Sequence, residues 1–333
     1  MRVKDGARNG AYGRVFVTMS SSPKPSKQKA PRNRSIEVES NDWNLYNSVI
    51  LSLSEPKSYL KVRNKIFNND AFEVLPKLEK GKFDLLFADP PYNLTKKFGK
   101  EEFKQTDADA YEEWLDSWLR LCVPLLKKTA SVYICGDWRS SAAIQRVGSK
   151  HFNLQNRITW EREKGRGAKR NWKNAAEDIW FFTVSKDFTF NLDAVKQRRR
   201  VLAPYKDNGK PKDWRANEDG KFRDTHPSNI WTDITVPFWS MPENTDHPTQ
   251  KPEKLLAKII LASTNPGAMI LDPFGGSGTT AVTAKKLGRD FIVIESDKKY
   301  CLLTAKRLQL AETDRSIQGF DGEVFWERNS APR

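Results

Sequence analysis

Short apolar runs alternate with amphipathic stretches through most of the chain. Residues 83–88 (Phe-Asp-Leu-Leu-Phe-Ala) form a mostly apolar run that stops at Pro90 and Pro91, which is typical of a buried strand. Further runs of this kind occupy residues 131–135, 179–184, 268–271 and 291–294. The chain is therefore predicted to contain several buried strands.

Amphipathic segments lie between these runs. Asp107 can cap a helix whose apolar positions recur at helical spacing, at Tyr111, Trp114, Leu115, Trp118, Cys122 and Leu125. Two more helices are predicted, one that ends near Leu287 and one over residues 298–308. Helices that alternate with buried strands predict an α/β fold with a mainly parallel sheet.

Three regions depart from this pattern. Residues 20–35 are rich in Ser, Pro, Lys and Arg, so residues 1–35 are predicted to be a disordered basic tail. Between residues 187 and 246 the periodicity gives way to Pro, Gly, Asn, Trp and basic residues, which predicts an insertion. The α/β domain would then comprise residues 36–186 and 247–312, followed by an extension at 313–333.

Charge is distributed unevenly along the chain, whose 333 residues carry a formal net charge of +15. Residues 1–35 hold nine Lys or Arg and one acid, and residues 161–223 hold seventeen and ten. Two basic regions on a neutral body suggest a polyanionic partner, although a basic tail can also simply be solvated. In the second region Trp160, Trp172 and Trp214 are interleaved with the charges, which suits stacked bases and phosphates.

The composition disfavours several classes of protein. No segment approaches the ~18 apolar residues of a membrane span, and residues 1–35 lack the apolar core of a secretory signal. The three cysteines form no Cys-x-x-Cys pair, and there are only three histidines. We therefore expect no disulfide framework and no metal site, with the cytoplasm as the simplest location.

The first motif with chemical meaning is Asp89-Pro90-Pro91-Tyr92, at the end of the first apolar run. An exocyclic amino group of a nucleobase is a poor nucleophile because its lone pair is delocalised into the ring. A carboxylate and a backbone carbonyl that accept its two hydrogens would localise that lone pair, and the tyrosine ring could stack on the base. Taken by itself, the motif could also be a strand-ending turn without function.

The second motif is Asp-Pro-Phe-Gly-Gly-Ser-Gly-Thr-Thr at residues 272–280, between a strand and a helix. Glycines let the backbone approach a ligand, and a helix start favours an anion. The segment lacks the Walker A lysine and does not fit GxGxxG. Glu295, at the end of the next strand, could hold ribose hydroxyls as in nucleoside cofactor sites. A tight turn beside a surface acid is the alternative.

The third motif is His-Pro-Thr-Gln-Lys-Pro at residues 247–252, which opens a helix with Leu255, Leu256 and Ile259. A proline near a helix start is ordinary helix chemistry. These residues alone indicate only a helix N-terminus with a hydrogen-bonded histidine.

Together, the three motifs make residues 65–308 resemble the β-group amino-methyltransferases of DNA, the type found in bacterial restriction–modification systems. In that family a DPPY motif precedes the glycine-rich loop, with a recognition domain and an HPTQKP-type segment between them. Residues 228–231 (Ser-Asn-Ile-Trp) and the run from Phe291 to Glu295 also match the family's pattern. The resemblance implies an S-adenosylmethionine-dependent methyltransferase (Rossmann-like) fold. Its mostly parallel sheet would be circularly permuted and seven-stranded, with an antiparallel last strand.

The resemblance also implies a set of site residues, with S-adenosyl-L-methionine as cofactor. Asp89, Pro90, Pro91 and Tyr92 would be catalytic. The implied cofactor-binding residues are Asp70, Ala71, His247, Thr249, Gln250, Lys251, Asp272, Pro273, Phe274, Gly275, Gly276, Ser277, Gly278, Thr279, Glu295 and Ser296. The expected substrate is double-stranded DNA, whose target base must leave the stack. A cognate restriction endonuclease and a homodimer are further expectations.

DNA contacts are predicted from the basic residues. The loop at 93–105, with Lys96 and Lys97, is expected to close over the base. Arg166, Lys169 and Arg170 are expected to contact phosphates. Residues 187–246 are expected to read the sequence, since arginine is the commonest reader of guanine; the candidates are Arg198, Arg199, Arg200 and Arg215.

The expected target is N6 of adenine, because DPPY leans to adenine in this family and SPPY to cytosine; N4 of cytosine is the alternative. A C5-cytosine enzyme needs a cysteine nucleophile, usually after proline, whereas Leu121, Ile134 and Tyr300 precede the three cysteines. Methylation of protein glutamine or of RNA would usually show NPPY. A DNA-binding module without activity would leave the two site motifs without a role.

Overall fold

The computed structural model describes residues 30–94, 96–98, 101–103, 106–162, 170–201, 205–211, 213–217 and 220–327. Residues 1–29, Arg166 and Lys169 lie outside the described residues, and of Lys96 and Lys97 only the backbone is described. No helix within the described ranges is both long and apolar enough to span a membrane.

The helices of the described part are α1 (Ser40–Tyr46), α2 (Tyr59–Val62), α3 (Ala71–Val74), α4 (Ala108–Cys122), α5 (Ser141–His151), α6 (Glu253–Ser263), α7 (Thr279–Lys286) and α8 (Lys298–Thr313). The strands are β1 (Ile50–Leu51), β2 (Lys65–Asn68), β3 (Phe83–Ala88), β4 (Lys96–Phe98), β5 (Glu101–Phe103), β6 (Leu126–Gly136), β7 (Asn153–Glu161), β8 (Ala176–Thr183), β9 (Gln197–Arg200), β10 (Lys206–Asp207), β11 (Lys210–Pro211), β12 (Arg215–Asn217), β13 (Gly220–Thr225), β14 (Ile230–Trp231), β15 (Met269–Asp272), β16 (Asp290–Glu295), β17 (Phe320–Asp321) and β18 (Val324–Trp326).

A large sheet with the strand order β1-β2-β16-β15-β3-β6-β8-β7-β14 forms the centre of the molecule. Neighbours are parallel except at β8, which runs antiparallel to both β6 and β7. The predicted α/β class and mainly parallel sheet are confirmed. The strand count is nine rather than seven, because β1 and β14, two residues each, extend the edges. The antiparallel strand lies inside the sheet and is not the last along the chain.

Two hydrophobic cores cover the two faces of this sheet. Along β3, Leu86 and Ala88 belong to the core with α4 and α5, while Leu85 and Phe87 belong to the core with α6 and α7. This alternation is the two-residue period of a strand that is buried on both faces. Asp107 caps α4 as predicted: its Oδ1 accepts a hydrogen bond from the Ala110 amide at 2.8 Å.

The motifs predicted to be catalytic and to bind cofactor meet because β3 and β15 are neighbours. Leu85 and Leu86 pair in parallel with Ile270 and Leu271. Parallel strands place their carboxyl ends at one edge, where α/β folds bind ligands. Asp89 therefore lies on the same edge as Asp272, although the chain reaches β15 only after the insertion.

A second sheet, in the order β12-β13-β9-β18-β17, joins the insertion to the end of the chain. β9 pairs antiparallel with β13 on one side and parallel with β18 on the other. The predicted extension at 313–333 therefore does not stand apart from the fold, because its described part adds strands to the sheet of the insertion. The Lys254 ammonium of α6 donates to the Trp326 carbonyl and fastens this sheet to the main domain.

The folded body begins before residue 36, the predicted boundary. The amide of Arg34 donates to the Trp239 carbonyl at 2.7 Å, and that of Ile36 donates to the Asn244 carbonyl at 2.8 Å. The Asn244 side chain also donates to the Ser35 hydroxyl at 2.6 Å. Disorder was the wrong prediction for these last residues of the tail, because their backbone pairs with residues 239–244.

Candidate active site

A cavity of about 320 Å³ lies at the carboxyl edge of the main sheet. Its walls include all four residues predicted to be catalytic and every residue predicted to bind cofactor except Gly278. Sequence reasoning did not select the following lining residues: Asn69, Phe72, Phe87, Leu94, Trp114, Thr280, Ile294 and Tyr300. Most of these are apolar, and nothing in their spacing distinguishes a cavity wall from ordinary core.

Asp89 is held from two sides within this cavity. The Tyr92 hydroxyl donates to its Oδ1 at 2.9 Å, and the Lys251 ammonium donates to its Oδ2 at 2.5 Å. Lys251 also donates to the Tyr92 hydroxyl oxygen at 3.2 Å, and its Nζ lies 5.6 Å from the centre of the tyrosine ring. The carboxylate, the phenol and the ammonium thus form one closed cluster.

Lys251 has a second acid beside it. Its Nζ lies 3.4 Å from Oε2 of the buried Glu177, and the lysine side chain is only 6% exposed. Burial lowers the pKa of Lys251, but Asp89 and Glu177 together outweigh burial and raise the pKa above its usual range. Burial and the neighbouring Asp89 raise the pKa of Tyr92, so its hydroxyl remains a proton donor. Lys251 was predicted to bind cofactor, yet its ammonium contacts the predicted catalytic carboxylate.

The turn after β3 is also fixed through its backbone. The Tyr111 hydroxyl, from α4, donates to the Pro91 carbonyl at 3.1 Å. The Tyr111 ring stacks on Trp114 with 5.7 Å between centroids, and Trp114 lines the cavity. The helix that packs on β3 therefore also positions the catalytic turn.

Asp272 braces the glycine-rich loop from within. Its Oδ1 accepts from the Phe274 amide at 3.0 Å, and its Oδ2 accepts from the Thr280 hydroxyl at 2.5 Å. Burial raises the pKa of Asp272 to about 7. The carboxylate thus joins the start of the loop to the first turn of α7.

Glu295 faces the cavity from the end of β16 and contacts the same loop. Its Oε2 accepts from the Gly276 amide and its Oε1 from the Asp297 amide, each at 2.8 Å. Burial raises the pKa of Glu295 to about 7. Each oxygen of an ionised carboxylate has a second lone pair, so hydroxyl groups can still bind to it. Nearby, the Asn68 side chain donates to the carbonyls of Glu295 and Ser296 at 3.1 and 2.7 Å.

Two glycines of the loop have different roles. Gly276 has φ +51°, and a Cβ on it would lie 3.0 Å from Nε2 of His247, which lines the cavity. Gly278 has φ +75°, and a Cβ there would lie 2.2 Å from Cγ2 of Thr304 in α8. Gly278 is not among the residues that line the cavity, so its predicted cofactor contact stays a prediction. It is the residue that lets α7 pack closely against α8.

The 247–252 segment is held in place by hydrogen bonds within it and to the residues just before it. Nδ1 of His247 accepts from the Thr249 amide at 3.3 Å, and its ring lies edge-on to Tyr300 at 4.5 Å between centroids. Oε1 of Gln250 accepts from the Thr245 amide and hydroxyl at 2.9 and 2.6 Å, and its Nε2 donates to the Glu243 carbonyl at 2.7 Å. Gln250 was predicted to bind cofactor, but its buried amide fixes the turn before α6.

The remaining cofactor candidates lie around the cavity. Asp70 caps α3, since its Oδ1 accepts from the Phe72 amide at 2.7 Å. Arg307, which is buried in α8, donates to the Ser277 carbonyl at 2.7 Å and to Glu253 at 2.9 Å. This arginine ties the glycine-rich loop to the first residue of α6, a role that sequence reasoning missed. The cavity walls also include Ala71, Thr249, Pro273, Gly275 and Thr279.

The arginines predicted to read DNA differ in their surroundings. Arg198 forms a two-point ion pair with Asp224 at 2.7 and 2.8 Å, and its guanidinium lies 5.4 Å from the centre of the Trp326 ring. Nε of Arg199 lies 3.7 Å from a carboxylate oxygen of Glu327. Arg198 therefore acts within the second sheet. Arg170, Arg200 and Arg215 are exposed.

The carboxyl edge of the mainly parallel sheet brings an Asp-Pro-Pro-Tyr turn together with a glycine-rich loop suited to a nucleoside. This combination defines an S-adenosylmethionine-dependent methyltransferase. Residues 83–306 match the family model described as DNA methylase, which covers N6- and N4-directed enzymes. The chain belongs to this family, and S-adenosyl-L-methionine is its cofactor.

Individual relatives agree with this assignment. The chain is 35% identical over 266 residues to DNA adenine methyltransferase YhdJ of Escherichia coli (strain K12), covering 77% of this chain and 86% of that protein. It is 32% identical to the type II methyltransferase M.HpaI of Haemophilus parainfluenzae, covering 77% and 76%. The solved PvuII DNA methyltransferase (cytosine-N4-specific) matches with a TM-score of 0.55 and 18% identity, covering 85% of this chain and 98% of that one. That last similarity concerns the fold alone.

Proposed function

We propose that this DNA methyltransferase modifies N6 of adenine in a specific sequence. The observation that carries the proposal is Asp89 itself: the first residue of the motif is a carboxylate that lines the cavity and is bonded to Lys251 and Tyr92. In the family that the sequence resembles, an aspartate at this position leans to adenine. The name of the relative from Escherichia coli points the same way.

Bound S-adenosylmethionine would supply an electrophilic methyl group. The residues that would hold it are Glu295, which offers acceptors for ribose hydroxyls, and the backbone of Phe274 to Ser277, where Gly276 has no space for a side chain. Asp70 and His247 line the same cavity. These donors and acceptors fit a nucleoside cofactor.

The chain's own residues would perform the remaining steps. The flipped base stacks on Tyr92, and Asp89 and the Pro90 carbonyl accept the two hydrogens of its amino group, which localises the nitrogen lone pair. Lys251 donates a hydrogen bond to Asp89 and fixes its orientation. The nitrogen loses one proton when it gains the methyl group, and Asp89 is the acceptor for that proton. Holding both reactants in one cavity supplies much of the rate.

The proposal includes DNA contacts from the exposed Arg170, Arg200 and Arg215, while Arg198 supports the second sheet. The expected homodimer is part of the proposal and is tested by sedimentation of the chain with and without DNA. A companion nuclease is tested by co-purification from its natural host.

The base and its sequence context can be read in one experiment. The protein is expressed in a host without adenine methylation, and its plasmid DNA is read by single-molecule sequencing. We expect N6-methyladenine at one recurring sequence, and none with Asp89→Ala. N4-methylcytosine would overturn the adenine assignment while leaving the family intact.

A further inference from the structure

Trp138 is an exposed tryptophan in a tightly held loop. It follows β6 by two residues, and 61% of its surface is accessible. The preceding Asp137 is buried, and its Oδ1 accepts from the amides of Arg139 and Ser140 at 3.2 and 2.9 Å and from the Ser140 hydroxyl at 2.5 Å. A large ring presented on a fixed loop loses little conformational entropy on binding a partner.

The loop of Trp138 lies beside the catalytic turn. β6 is the parallel neighbour of β3, with Ile134 paired to Ala88, so both strands end at the same edge. Tyr111 lies near both loops: its hydroxyl donates to the Pro91 carbonyl, and burial and the nearby Asp137 raise its pKa. Trp138 is not part of the cavity wall. It therefore lies at the rim, outside the pocket for the target base.

The surroundings of Trp138 are basic. The Arg139 guanidinium lies 5.1 Å from the centre of the Trp138 ring, and its side chain is exposed. β8 pairs with β6, with Asp178 opposite Gly136, so the residues before β8 lie at this same edge. They include the exposed Arg170 and Trp172, the latter 92% accessible. Aromatic faces combined with guanidinium groups suit nucleic acid, since bases stack on the former and phosphates bind the latter.

We propose that Trp138 and Arg139 form a DNA contact at the rim of the target-base pocket. The Trp138 ring stacks on a nucleotide next to the flipped one, and Arg139 contacts a backbone phosphate. This places the loop after β6, far in sequence from the recognition insertion, in the DNA interface. The inference rests on the proposed role of Asp89 to Tyr92 as the target-base site.

Four variants test the contact: Trp138→Ala, Trp138→Phe, Arg139→Ala and, as a control, Trp43→Ala. Trp43 is a 46% exposed tryptophan on α1, outside the cavity wall. Methyl transfer from radiolabelled S-adenosylmethionine to plasmid DNA that carries the wild-type enzyme's sites gives kcat and KM for DNA. Calorimetry gives cofactor affinity, and thermal melting checks the fold.

Trp138→Ala should raise KM for DNA about 5- to 150-fold, the equivalent of one base-stacking contact. Trp138→Phe should recover most of the loss, and Trp43→Ala should behave as wild type. Arg139→Ala should lower the slope of log affinity against log salt by about one unit, as expected for one lost phosphate contact. Cofactor affinity should not change in any variant.

Unchanged KM and kcat in Trp138→Ala would overturn the proposal, as would an equal loss of cofactor affinity, which would show a structural effect. If Trp138→Ala changes only the sedimentation behaviour, the ring packs on a second copy of the chain and not on DNA. Failure of the proposed function would give a different result, because the wild-type enzyme itself would then leave no N6-methyladenine in plasmid DNA.

Discussion

Nζ of Lys251 lies 2.5 Å from Oδ2 of Asp89, across a sequence separation of 162 residues. The HPTQKP segment therefore contacts the catalytic motif directly, besides lining the cofactor cavity. Because Glu177 lies on the other side of Lys251, the ammonium is enclosed by two acids.

Replacing Lys251 with methionine should lower kcat by about 10²–10⁴-fold, the usual range for a group that assists proton transfer. Asp89 would lose the ammonium that orients it. Stability should also fall, because Asp89 loses its ammonium partner and the buried Glu177 keeps only Arg162 among its described ion-pair partners. Single-turnover methylation and thermal melting measure the two effects. A large loss of cofactor affinity with unchanged chemistry would instead support the cofactor-binding role predicted from sequence.

Asp89→Ala should reduce methyl transfer by at least about 10²–10⁴-fold while cofactor affinity stays within a few-fold of wild type. The carboxylate contacts Lys251 and Tyr92, whereas the hydrogen bonds that fix the glycine-rich loop come from Asp272 and Glu295. Calorimetry with S-adenosylhomocysteine supplies the affinity. Near-normal turnover would contradict the proposed mechanism.

Cofactor affinity should rise with pH through neutrality. Burial raises the pKa of Glu295 from its usual 4.5 to about 7, and only the ionised form offers full acceptors to ribose hydroxyls. Titrations from pH 6 to pH 8.5 should show this rise for wild type, and a flatter profile for Glu295→Gln. Asp272→Asn is the control, because burial also raises the pKa of Asp272 to about 7. Identical profiles for wild type and Glu295→Gln would remove Glu295 from the cofactor site.

The same shift has a consequence for stability. A carboxyl group with a raised pKa holds its proton more tightly in the folded state. Its contribution to the free energy of unfolding therefore declines as pH rises from 4.5 to about 7. In urea unfolding, the free energy of unfolding of Glu295→Gln should therefore decline less over this pH range than that of wild type.

Gly278→Ala should destabilise the protein more than Gly81→Ala does. Both glycines have positive φ, +75° and +66°, but only at Gly278 would a Cβ collide with a neighbour, Thr304. The difference between the two variants isolates that packing contact, and overpacking of this kind costs about 1–3 kcal/mol. Chemical denaturation measures both. Equal losses would show that backbone strain, and not the approach of α7 to α8, is the reason for glycine.

Arg198→Ala should lower stability, whereas Arg215→Ala should lower DNA affinity with stability nearly unchanged. Arg198 is paired to Asp224 and lies over Trp326, while Arg215 is exposed. A double-mutant cycle with Asp224→Ala should give a coupling energy for Arg198 of about 0.5–3 kcal/mol. DNA binding at several salt concentrations separates phosphate contacts from base contacts. A purely DNA-directed effect of Arg198→Ala would restore it as a sequence reader.

The sequence was informative wherever the determinant is local. The apolar run at 83–88 and the cap at Asp107 depend on neighbouring residues, and both elements formed as predicted. The glycine-rich loop with Asp272 was recognisable for the same reason. The partners of Lys251 and Arg198 were not predictable, because Asp89 and Asp224 approach them only through tertiary packing. The packing role of Gly278 was not predictable either, because that constraint comes from Thr304, on a different helix.

The pairing of β18 with β9 makes the sheet of the insertion, which we propose reads the DNA sequence, discontinuous along the gene. An exchange of residues 187–246 with those of a relative would bring a new β9 next to an old β18, across a register in which Gln197 pairs with Phe325 and Arg198 with Trp326. The exchanged β9 and the original β18 would then pair poorly, although β18 would still be bound to α6 through Lys254. An exchange that keeps this sheet intact therefore requires two crossovers, one in the insertion and one near the end of the chain. If the insertion reads the DNA sequence as proposed, β18 has to be exchanged together with it.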